Sequence, residues 1–318
     1  MTFIFLAGFL EQLSGLQYNV SLAEQTTFRI GGPAKYFYLA RNKEKLIKAV
    51  EIAHKNNCPY FVFGGGSNVL FDDKGFDSLI IKFYSHHYKI EGNQITAEAG
   101  VPLSEIVFAS IKAGLAGLEW AVGIPGTVGG AVYGNSGAFN YSLSQIVEEV
   151  ISFSPLSRKE KHYKPQECQF GYRDSIFRKN KEILLLVKLK LRKGLKEESQ
   201  KIIQNYLKIR HDKIPPFPSA GSVFKNYSVK KDDEILKKFP QLKEKMKKGK
   251  IPAACFIEQV GLKGRRIGDA QIFEKHANII VNLGQARSQD VLALMQFCKE
   301  KVKKKFDIDL KEEIQIIT

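Results

Sequence analysis

The stretch GIPGTVGGAVYGNSGAFN at residues 123–140 has six glycines in eighteen positions and no charged side chain. A segment with so few side chains folds stably only when something else fills the space beside it. A second stretch, FGGGSN at 63–68, has the same character and begins where the apolar run YFVF ends. Glycine has no Cβ and tolerates positive φ, so consecutive amide groups in such stretches can converge on phosphate oxygens.

Glycines can also simply form turns, and a lone run of three usually does. Neither stretch matches the G-x-x-x-x-G-K-[ST] phosphate loop or the G-x-G-x-x-G dinucleotide fingerprint. Two such stretches nevertheless occur in one half of the chain, each after a segment that can orient it. This arrangement favours a dinucleotide that is held by main chain in some other way.

The composition is that of an ordinary globular protein, with 318 residues, 44% hydrophobic and 26% charged. A net charge of +16 is compatible with nucleic-acid binding, but the lysines are spread along the chain and no nucleic-acid-binding motif is present. The densest stretch, 230–250, mixes nine lysines with four acids, as solvated helix surfaces do. We therefore expect no nucleic-acid partner, since anionic small substrates explain the charge equally well.

The apolar opening, TFIFLAGFL at 2–10, resembles a signal peptide but lacks a basic start and a small-residue cleavage site. It is better interpreted as an amphipathic helix that continues to residue 16. No apolar run approaches the ~20 residues that a membrane span needs. We expect a cytoplasmic protein that does not associate with membranes.

The cysteines are far apart, and no histidine lies at metal-ligand spacing from them. This predicts no metal site and a reducing compartment. Two of the thiols fall on apolar faces of predicted helices and are expected to be buried and inert. The four positions are Cys58, Cys168, Cys255 and Cys298, of which the last two are the helical ones.

Apolar periodicity and glycine or proline breaks predict alternating helices and strands. The predicted helices are 42–55 with Asn42 as N-cap, 102–114, 196–213, 252–260, and one that Ser288 caps. The predicted strands are 60–63, 78–83, 94–100, 181–194, 277–284 and 312–317. The change to lysine-rich texture predicts a domain boundary between residues 195 and 200.

Several long strings occur in the order found in the UDP-N-acetylenolpyruvoylglucosamine reductase family, and the resemblance runs from about residue 17 to the end. The strings are TTFRIGG (26–32), FGGGSN (63–68), GLEWAVGIPGTVGGAVYGNSGAF (117–139), FGYRDSIF (170–177), SAGSVFKN (219–226), LKGRRIGDAQIFEKHANIIVN (262–282) and KEEIQII (311–317). The resemblance implies an α+β protein with a two-part FAD-binding domain of the vanillyl-alcohol-oxidase type, followed by an α/β substrate-binding domain. The implied ranges are 1–78 and 79–198 for the two FAD-binding parts and 199–318 for the substrate-binding domain.

The resemblance also implies the reaction. NADPH reduces FAD, and UDP-N-acetylglucosamine enolpyruvate then takes the place of NADPH and is reduced to UDP-N-acetylmuramate for peptidoglycan synthesis. Some relatives on this fold attach FAD through a histidine near the first glycine stretch, and this chain has none there, so we expect non-covalent FAD. The short path from GYRDSIF to SAGSVF resembles the family type without a tyrosine-bearing loop insertion. The alternative is another non-covalent FAD sugar or alcohol oxidoreductase of the same fold.

By the same resemblance, FAD lies along both glycine stretches. The implied FAD-binding residues are Gly64, Gly65, Gly66, Ser67, Asn68, Gly123, Ile124, Pro125, Gly126, Thr127, Gly129, Gly130, Asn135, Gly137 and Ala138.

Three residues match the catalytic positions of the family. Arg173 would bind the substrate carboxylate, for which a guanidinium fork is well suited; an isolated arginine would more often pair with an acid such as Asp174. Ser222 matches the proton donor, although a serine hydroxyl is a weak acid and needs cationic neighbours. Without the resemblance, Ser222 would be taken for a turn or cap residue.

Glu313 matches the third catalytic position, a glutamate before the last strand. Glu312 is one register step away, so its side chain would lie on the opposite face of the strand. The family commonly has a basic residue two places after this glutamate, where this chain has Gln315.

The implied substrate-binding residues are Tyr172, Lys213, Asn226 and His276, and Lys213 and Lys225 would provide the positive field around Ser222. His276 is as readily explained as a structural histidine with satisfied hydrogen bonds.

Overall fold

The computed structural model describes residues 8–211, 214–230 and 233–318. These residues form two compact units. The first contains 8–20, 34–65 and 76–211, and the second contains 21–33, 66–75 and the described residues from 214 to 318. Two short segments from the first quarter of the sequence therefore belong to the C-terminal unit.

Short strands outnumber helices in the described part of the chain. In chain order, the strands are β1 Gln17–Ser21, β2 Pro33–Ala40, β3 Tyr60–Phe63, β4 Val69–Phe71, β5 Phe76–Phe83, β6 Tyr88–Glu91, β7 Gln94–Glu98, β8 Leu115–Ala116, β9 Gly137–Ala138, β10 Tyr141–Ser142, β11 Val147–Ser154, β12 Lys159–Tyr163, β13 Ile183–Lys190, β14 Arg192–Lys193, β15 Ser219–Ser222, β16 Tyr227–Ser228, β17 Lys250–Ile251, β18 Arg266–Ile267, β19 Ala270–Ile272, β20 Ile279–Asn282 and β21 Gln315–Ile317. The α-helices are α1 Lys43–Lys55, α2 Leu103–Lys112, α3 Val128–Tyr133, α4 Lys196–His211, α5 Ile235–Lys238, α6 Ala253–Gln259 and α7 Ser288–Phe306. Short 3-10 helices cover Ala23–Gln25, Glu119–Ala121, Leu143–Gln145, Ile176–Arg178 and Pro240–Lys245.

The two largest sheets of the first unit have four and five strands. One has the strand order β1-β2-β5-β3, and β2, β5 and β3 run parallel. The other is antiparallel, with the order β12-β11-β13-β7-β6. Helix α1 confirms its prediction, because the Asn42 side chain accepts a hydrogen bond from the Lys45 amide at 2.9 Å. Its predicted apolar face is buried, at Leu46, Ala49, Val50 and Ala53.

The second unit is built around an antiparallel sheet in the order β15-β20-β19-β18. Strand β20 is buried at every position, as expected for the run ANIIVNLG. Phe28, Ile30 and Leu70, from the two short segments, are buried in the same core as helix α7. The terminal strand β21 pairs in parallel with β4, which lies in one of those segments.

Helix α7 begins one residue earlier than the sequence predicted. Ser288 is its first residue and Arg287 is the N-cap, so the assignment of Ser288 as N-cap is wrong. The reason is Asp73, whose carboxylate accepts hydrogen bonds at 2.8 Å from both the amide and the hydroxyl of Ser288. A carboxylate at this end of a helix binds its unpaired amides and opposes the helix dipole favourably.

The lysine-rich stretch is not one continuous helix. The four-residue helix α5 ends at Lys238, and Pro240 begins a 3-10 helix that runs to Lys245. Proline lacks the amide hydrogen that would continue an α-helix. The lysines of the described part are mostly exposed, as predicted for a solvated surface.

Part of the predicted N-terminal helix, residues 2–7, lies outside the described residues. Leu10 and Leu13 are buried in the core of the first unit. Burial raises the pKa of Cys298 to about 12, as expected for an inert thiol, whereas Cys255 is only half-buried. Among the described residues, no helix is long and apolar enough to span a membrane, and no group of three or more metal-binding side chains occurs.

We predict that Asp73→Ala lowers the free energy of unfolding by about 1–2 kcal/mol, because it removes the acceptor for the first turn of α7. Asp77→Ala is the control: this side chain is 78% exposed and forms a surface ion pair with Lys35, so its loss should cost much less than the loss of Asp73. Urea unfolding of both variants measures the difference. Equal losses would contradict the capping role of Asp73.

Candidate active site

The two glycine stretches pack directly on each other within the first unit. A Cβ built on Gly65 would lie 2.6 Å from the Cα of Gly126. A Cβ built on Gly64 would lie 2.3 Å from the Thr127 hydroxyl oxygen. Both distances are shorter than real Cβ contacts, so neither position has room for a side chain. The bare main chain of one stretch therefore fills the space beside the other.

Two further glycines are also required by the protein itself. A Cβ on Gly129 would lie 2.5 Å from the Cβ of Ala99, and one on Gly137 would lie 2.4 Å from the Tyr141 carbonyl oxygen. Internal packing thus explains four of the predicted FAD-binding glycines without a ligand. That FAD lies along these stretches remains a prediction.

The centre of the second stretch forms the short helix α3, which the sequence did not predict because glycine disfavours helix interiors. Thr127 is its N-cap, and the hydroxyl accepts a hydrogen bond from the Gly130 amide at 3.3 Å. Before the helix, Gly123 and Gly126 have φ of +71° and +108°, which only glycine adopts readily. The stretch is therefore a loop, a six-residue helix and a second loop.

Asn135 connects the glycine stretch to the segment that carries Arg173. Its side-chain amide donates to the Gly171 carbonyl at 2.8 Å, and its side-chain oxygen accepts from the Ser144 amide at 3.1 Å. The residue is buried and has φ of +40°. The Asn135 side chain, predicted to bind FAD, thus holds two protein segments together.

Tyr172 and Arg173 lie at the tip of a tight turn. Gly171 and Asp174 close it through two backbone hydrogen bonds of 3.0 and 3.4 Å. The Arg173 guanidinium donates to the Gly137 carbonyl at 2.9 Å, and its Cζ lies 5.5 Å from the centroid of the Tyr172 ring. Arg173 has φ of +53°, a conformation that costs about 1 kcal/mol or more for a non-glycine residue and concentrates at functional sites.

Asp174, the alternative partner of Arg173, forms an ion pair with another residue. Asp174 lies 3.5 Å from the Lys179 ammonium group. The guanidinium of Arg173 is instead held against the second glycine stretch, near the predicted cofactor residues Gly137 and Ala138. This position is compatible with a carboxylate-binding role.

In the second unit, the structure brings Ser222 and Glu313 onto neighbouring segments. Ser222 ends strand β15, and the next residue, Val223, accepts a backbone hydrogen bond from Glu313 at 2.8 Å. Asn68 is bonded to the same segment as Glu313, because its side-chain amide donates to the Glu313 carbonyl at 3.2 Å. The Gln315 amide donates back to the Asn68 carbonyl at 2.9 Å. A predicted proton donor, a predicted catalytic glutamate and a predicted FAD-binding residue are therefore neighbours.

The rival glutamate has a partner of its own. Glu312 forms an ion pair with Lys299. Burial, the largest single effect, acts to raise the pKa of Glu312, but the hydrogen bond from Lys299, a backbone hydrogen bond and the charge of Lys299 together outweigh it, and the pKa lies below its ordinary value. This arrangement supports Glu313, rather than Glu312, as the functional residue.

Asn278 positions the Ser222 segment and was not identified from the sequence. This buried residue accepts from the Phe224 amide at 3.0 Å and donates to the Phe224 carbonyl at 2.8 Å. The signal in the sequence is a polar residue at the start of the apolar run NIIV, where a buried amide must find backbone partners.

The remaining predicted substrate-binding residues have different settings. The Asn226 side-chain oxygen accepts from the Ala253 amide at 3.2 Å, at the start of helix α6. His276 lies in the turn before β20, and its carbonyl accepts from the Ile279 amide at 3.0 Å. Lys213 lies outside the described residues. Lys225 donates its backbone amide to the Lys311 carbonyl at 2.8 Å.

The sequence analysis also did not identify a cation beside the second glycine stretch. Arg210, in the last turn of α4, lies so close to Gly123 that a Cβ there would be 3.1 Å from its Cδ. The Nε and Nη2 atoms of Arg210 are buried and have no hydrogen-bond partner among the residues that the structure describes.

Comparison with known proteins identifies two matching regions. A family model described as an FAD binding domain matches residues 34–154, and one described as the C-terminal domain of UDP-N-acetylenolpyruvoylglucosamine reductase matches residues 212–317. These matches confirm the predicted α+β class with an N-terminal FAD-binding domain.

Full-length relatives show the same similarity. The UDP-N-acetylenolpyruvoylglucosamine reductase of Solibacter usitatus is 35% identical over 302 residues, covering 94% of this chain and 96% of that protein. The Clostridium novyi enzyme is 36% identical over 301 residues, covering 94% and 91%. The crystal structure of the Thermus caldophilus enzyme is similar with a TM-score of 0.76 and 34% identity, covering 94% of this chain and 98% of that one.

We predict that Gly65→Ala lowers the free energy of unfolding by about 1–3 kcal/mol, because its Cβ would overlap the Gly126 main chain. It should also weaken FAD binding by separating the two stretches. Gly134→Ala is the matched control, since its Cβ would lie 3.7 Å from its nearest neighbour and its φ is −94°. Thermal unfolding and flavin titration of both variants test this. A stable Gly65→Ala protein with normal FAD affinity would refute the close contact.

Proposed function

The chain belongs to the UDP-N-acetylenolpyruvoylglucosamine reductase family, and we propose that it reduces UDP-N-acetylglucosamine enolpyruvate to UDP-N-acetylmuramate in peptidoglycan synthesis. FAD is the cofactor and NADPH is the hydride donor. The observation that carries this proposal is similarity over nearly the whole length of both chains, with 96% of the Solibacter usitatus enzyme covered at 35% identity. This extent argues against the alternative of a sugar or alcohol oxidoreductase that shares only the fold.

We place FAD along the two glycine stretches, together with Ser67 and Asn68. An anionic cofactor fits the residues present, because the Arg210 guanidinium beside Gly123 has buried donors with no partner in the part of the chain that the structure describes. When bound, FAD supplies the hydride-transfer chemistry that side chains lack. The first stretch has no histidine, which supports non-covalent binding. We further propose the division into FAD-binding parts 1–78 and 79–198 and a substrate-binding domain 199–318.

Arg173 binds the substrate carboxylate in this proposal. As hydride arrives at the methylene carbon, negative charge develops on the carboxylate and the carbon that bears it. A guanidinium that stays charged stabilises this charge throughout. The hydrogen bond to the Gly137 carbonyl and the contact with the Tyr172 ring preset the orientation of Arg173. The substrate therefore gains this stabilisation without reorganising the arginine.

Ser222 delivers the proton to the carbon beside the carboxylate, and Glu313 assists it. A serine hydroxyl is a weak acid, so it transfers a proton only to a strongly basic enolate-like carbon. The pairing of Val223 with Glu313 places the two residues on adjacent segments. Lys213, Tyr172, Asn226 and His276 complete our proposed substrate-binding set.

The nicotinamide cofactor and the UDP-sugar use one site in turn, in our proposal. We also propose a cytoplasmic location, where NADPH and nucleotide sugars are available, and no partnership with nucleic acid or membrane. From the short connection between GYRDSIF and SAGSVF, we also propose that the protein is of the family type that lacks the tyrosine-bearing insertion.

Replacing Ser222 separates the two halves of the reaction. We predict that Ser222→Ala leaves flavin reduction by NADPH within a few-fold of wild type and slows reoxidation by the enolpyruvyl substrate by about 10²–10⁴-fold. Ser228→Ala, an exposed serine in the same unit, is the control and should change neither half. Anaerobic stopped-flow absorbance measures both rates. Similar losses in both halves would remove Ser222 from the proton-donor role.

Replacing each of the two adjacent glutamates in turn tests which of them is catalytic. Glu313→Gln should lower turnover by about 10²-fold or more, whereas Glu312→Gln should leave it within a few-fold. Steady-state turnover of both variants provides the comparison, and the reverse pattern would assign the role to Glu312.

Glu312→Gln should instead change acid stability. The folded pKa of Glu312 is lowered, so its pairing stabilises the protein above the ordinary carboxyl pKa of about 4.3 and is lost as the pH falls through the lower folded value. The variant should have a lower free energy of unfolding than wild type near neutral pH. Its free energy of unfolding should also fall less than that of wild type as the pH is lowered. Unfolding curves at several pH values measure this, and parallel pH dependences would contradict it.

A further inference from the structure

Helix α4 packs one face against the loops of the second glycine stretch. Ser199 donates to the Glu119 carboxylate at 2.6 Å, and Ile203 is buried in the core. One turn further, the Tyr206 ring stacks on Phe139 with centroids 4.1 Å apart. Arg210 follows at the same helical spacing, so this cation lies on the packed face of the helix and not on its solvated side.

The Arg210 side chain lies between two parts of the glycine stretch. Its Cζ is 5.4 Å from the centroid of the Phe139 ring. Its Cδ and Nε lie 3.1 and 3.7 Å from the position that a Cβ on Gly123 would occupy. A side chain at residue 123 would therefore displace the arginine, which gives Gly123 a second reason to be glycine besides its φ of +71°.

The Nε and Nη2 atoms of Arg210 are buried, yet they have no acceptor within residues 8–211, 214–230 and 233–318. Burial alone lowers the pKa of Arg210, and no described acid counteracts this. Buried donors without acceptors are costly, and buried charges are normally paired. The aromatic contact with Phe139 compensates only part of that cost, because a ring face accepts no strong hydrogen bond.

We propose that Arg210 binds the flavin cofactor by donating hydrogen bonds from Nε and Nη2 to a negatively charged oxygen of bound FAD. The inference rests on the proposed function, because it requires FAD along the second glycine stretch. Adjacent guanidinium nitrogens suit an oxygen that carries negative charge, which FAD presents in two places. One is the diphosphate, and the other is the carbonyl next to N1 of the isoalloxazine ring, where negative charge accumulates on reduction.

The test compares FAD binding to apo-protein by wild type, Arg210→Met and Arg210→Lys, measured by quenching of flavin fluorescence. Loss of a charge-assisted hydrogen bond should weaken FAD binding by about 10- to 100-fold in Arg210→Met. Arg210→Lys, which keeps the charge but lacks the Nε donor, should lie between that variant and wild type. Lys208→Met is the matched control, since this lysine is exposed on the same helix.

The unfolding temperature of the apo-proteins tests whether the role of Arg210 is purely structural. Because methionine removes buried donors that have no acceptor among the described residues, apo Arg210→Met should unfold at a temperature no lower than apo Lys208→Met. Added FAD should then raise the unfolding temperature of wild type and the control much more than that of Arg210→Met.

The midpoint potential of the bound flavin distinguishes the two oxygens. A contact with the ring carbonyl predicts a lower potential in Arg210→Met, because the cation stabilises the reduced, anionic ring. A contact with the diphosphate predicts an unchanged potential together with equally weakened binding of ADP as a competitor. Both results support the proposal.

Two results would overturn it. If wild type and Arg210→Met bind FAD equally well, Arg210 has no role in cofactor binding, while the proposed function stands. If apo Arg210→Met is strongly destabilised and its FAD affinity falls only in proportion to unfolding, the role of Arg210 is structural. Failure of wild type itself to bind FAD would instead refute the proposed function.

Discussion

The first unit depends on a contact between two stretches of main chain that leave no space for a Cβ. Gly65 lies against Gly126, and Gly64 lies against the Thr127 side chain, which in turn caps helix α3. This contact fixes the course of the second stretch up to Asn135, whose side chain bonds to Gly171. The turn that carries Arg173 is therefore positioned by a chain of contacts that begins with two bare glycines. Any side chain at the first contact would disturb the others in sequence.

In the second unit, backbone pairing positions the predicted catalytic residues. The residues just after the first glycine stretch form β4, which pairs with the last strand of the protein. Glu313, just before that strand, donates its backbone amide to the carbonyl of Val223, the residue after Ser222. The Asn278 side chain bonds to both the amide and the carbonyl of the following residue, Phe224. Ser222 and Glu313, separated by most of the C-terminal sequence, are thus brought together by a strand order that requires residues 66–75. A fragment that began after residue 199 would lack β4 and its support for the last strand.

Local patterns predicted the local elements well. Helix α1 agrees with its predicted cap and with all four buried positions, because periodicity and capping act within one turn. The motifs also predicted catalytic roles for Arg173, Ser222 and Glu313, which stay predictions, and the structure places the last two on adjacent segments. The sequence did not reveal that segments 21–33 and 66–75 belong to the C-terminal unit, since long-range pairing leaves no local periodicity. It also missed Asp73, which displaces Ser288 as the cap of α7, and Arg210, although a cation in register with Ile203 and Tyr206 was a visible signal.

In the proposed function, reducing equivalents pass through a flavin to an enolpyruvyl sugar nucleotide, and side chains bind the substrate carboxylate and deliver the proton. The most direct measurement is anaerobic rapid mixing of the NADPH-reduced protein with UDP-N-acetylglucosamine enolpyruvate, monitored through the absorbance of oxidised flavin, with dissolved oxygen as a separate oxidant. We predict fast return of the oxidised spectrum with the sugar nucleotide and slow return with oxygen. A protein that carries no flavin, or one that oxygen reoxidises quickly and the sugar nucleotide does not, would contradict it.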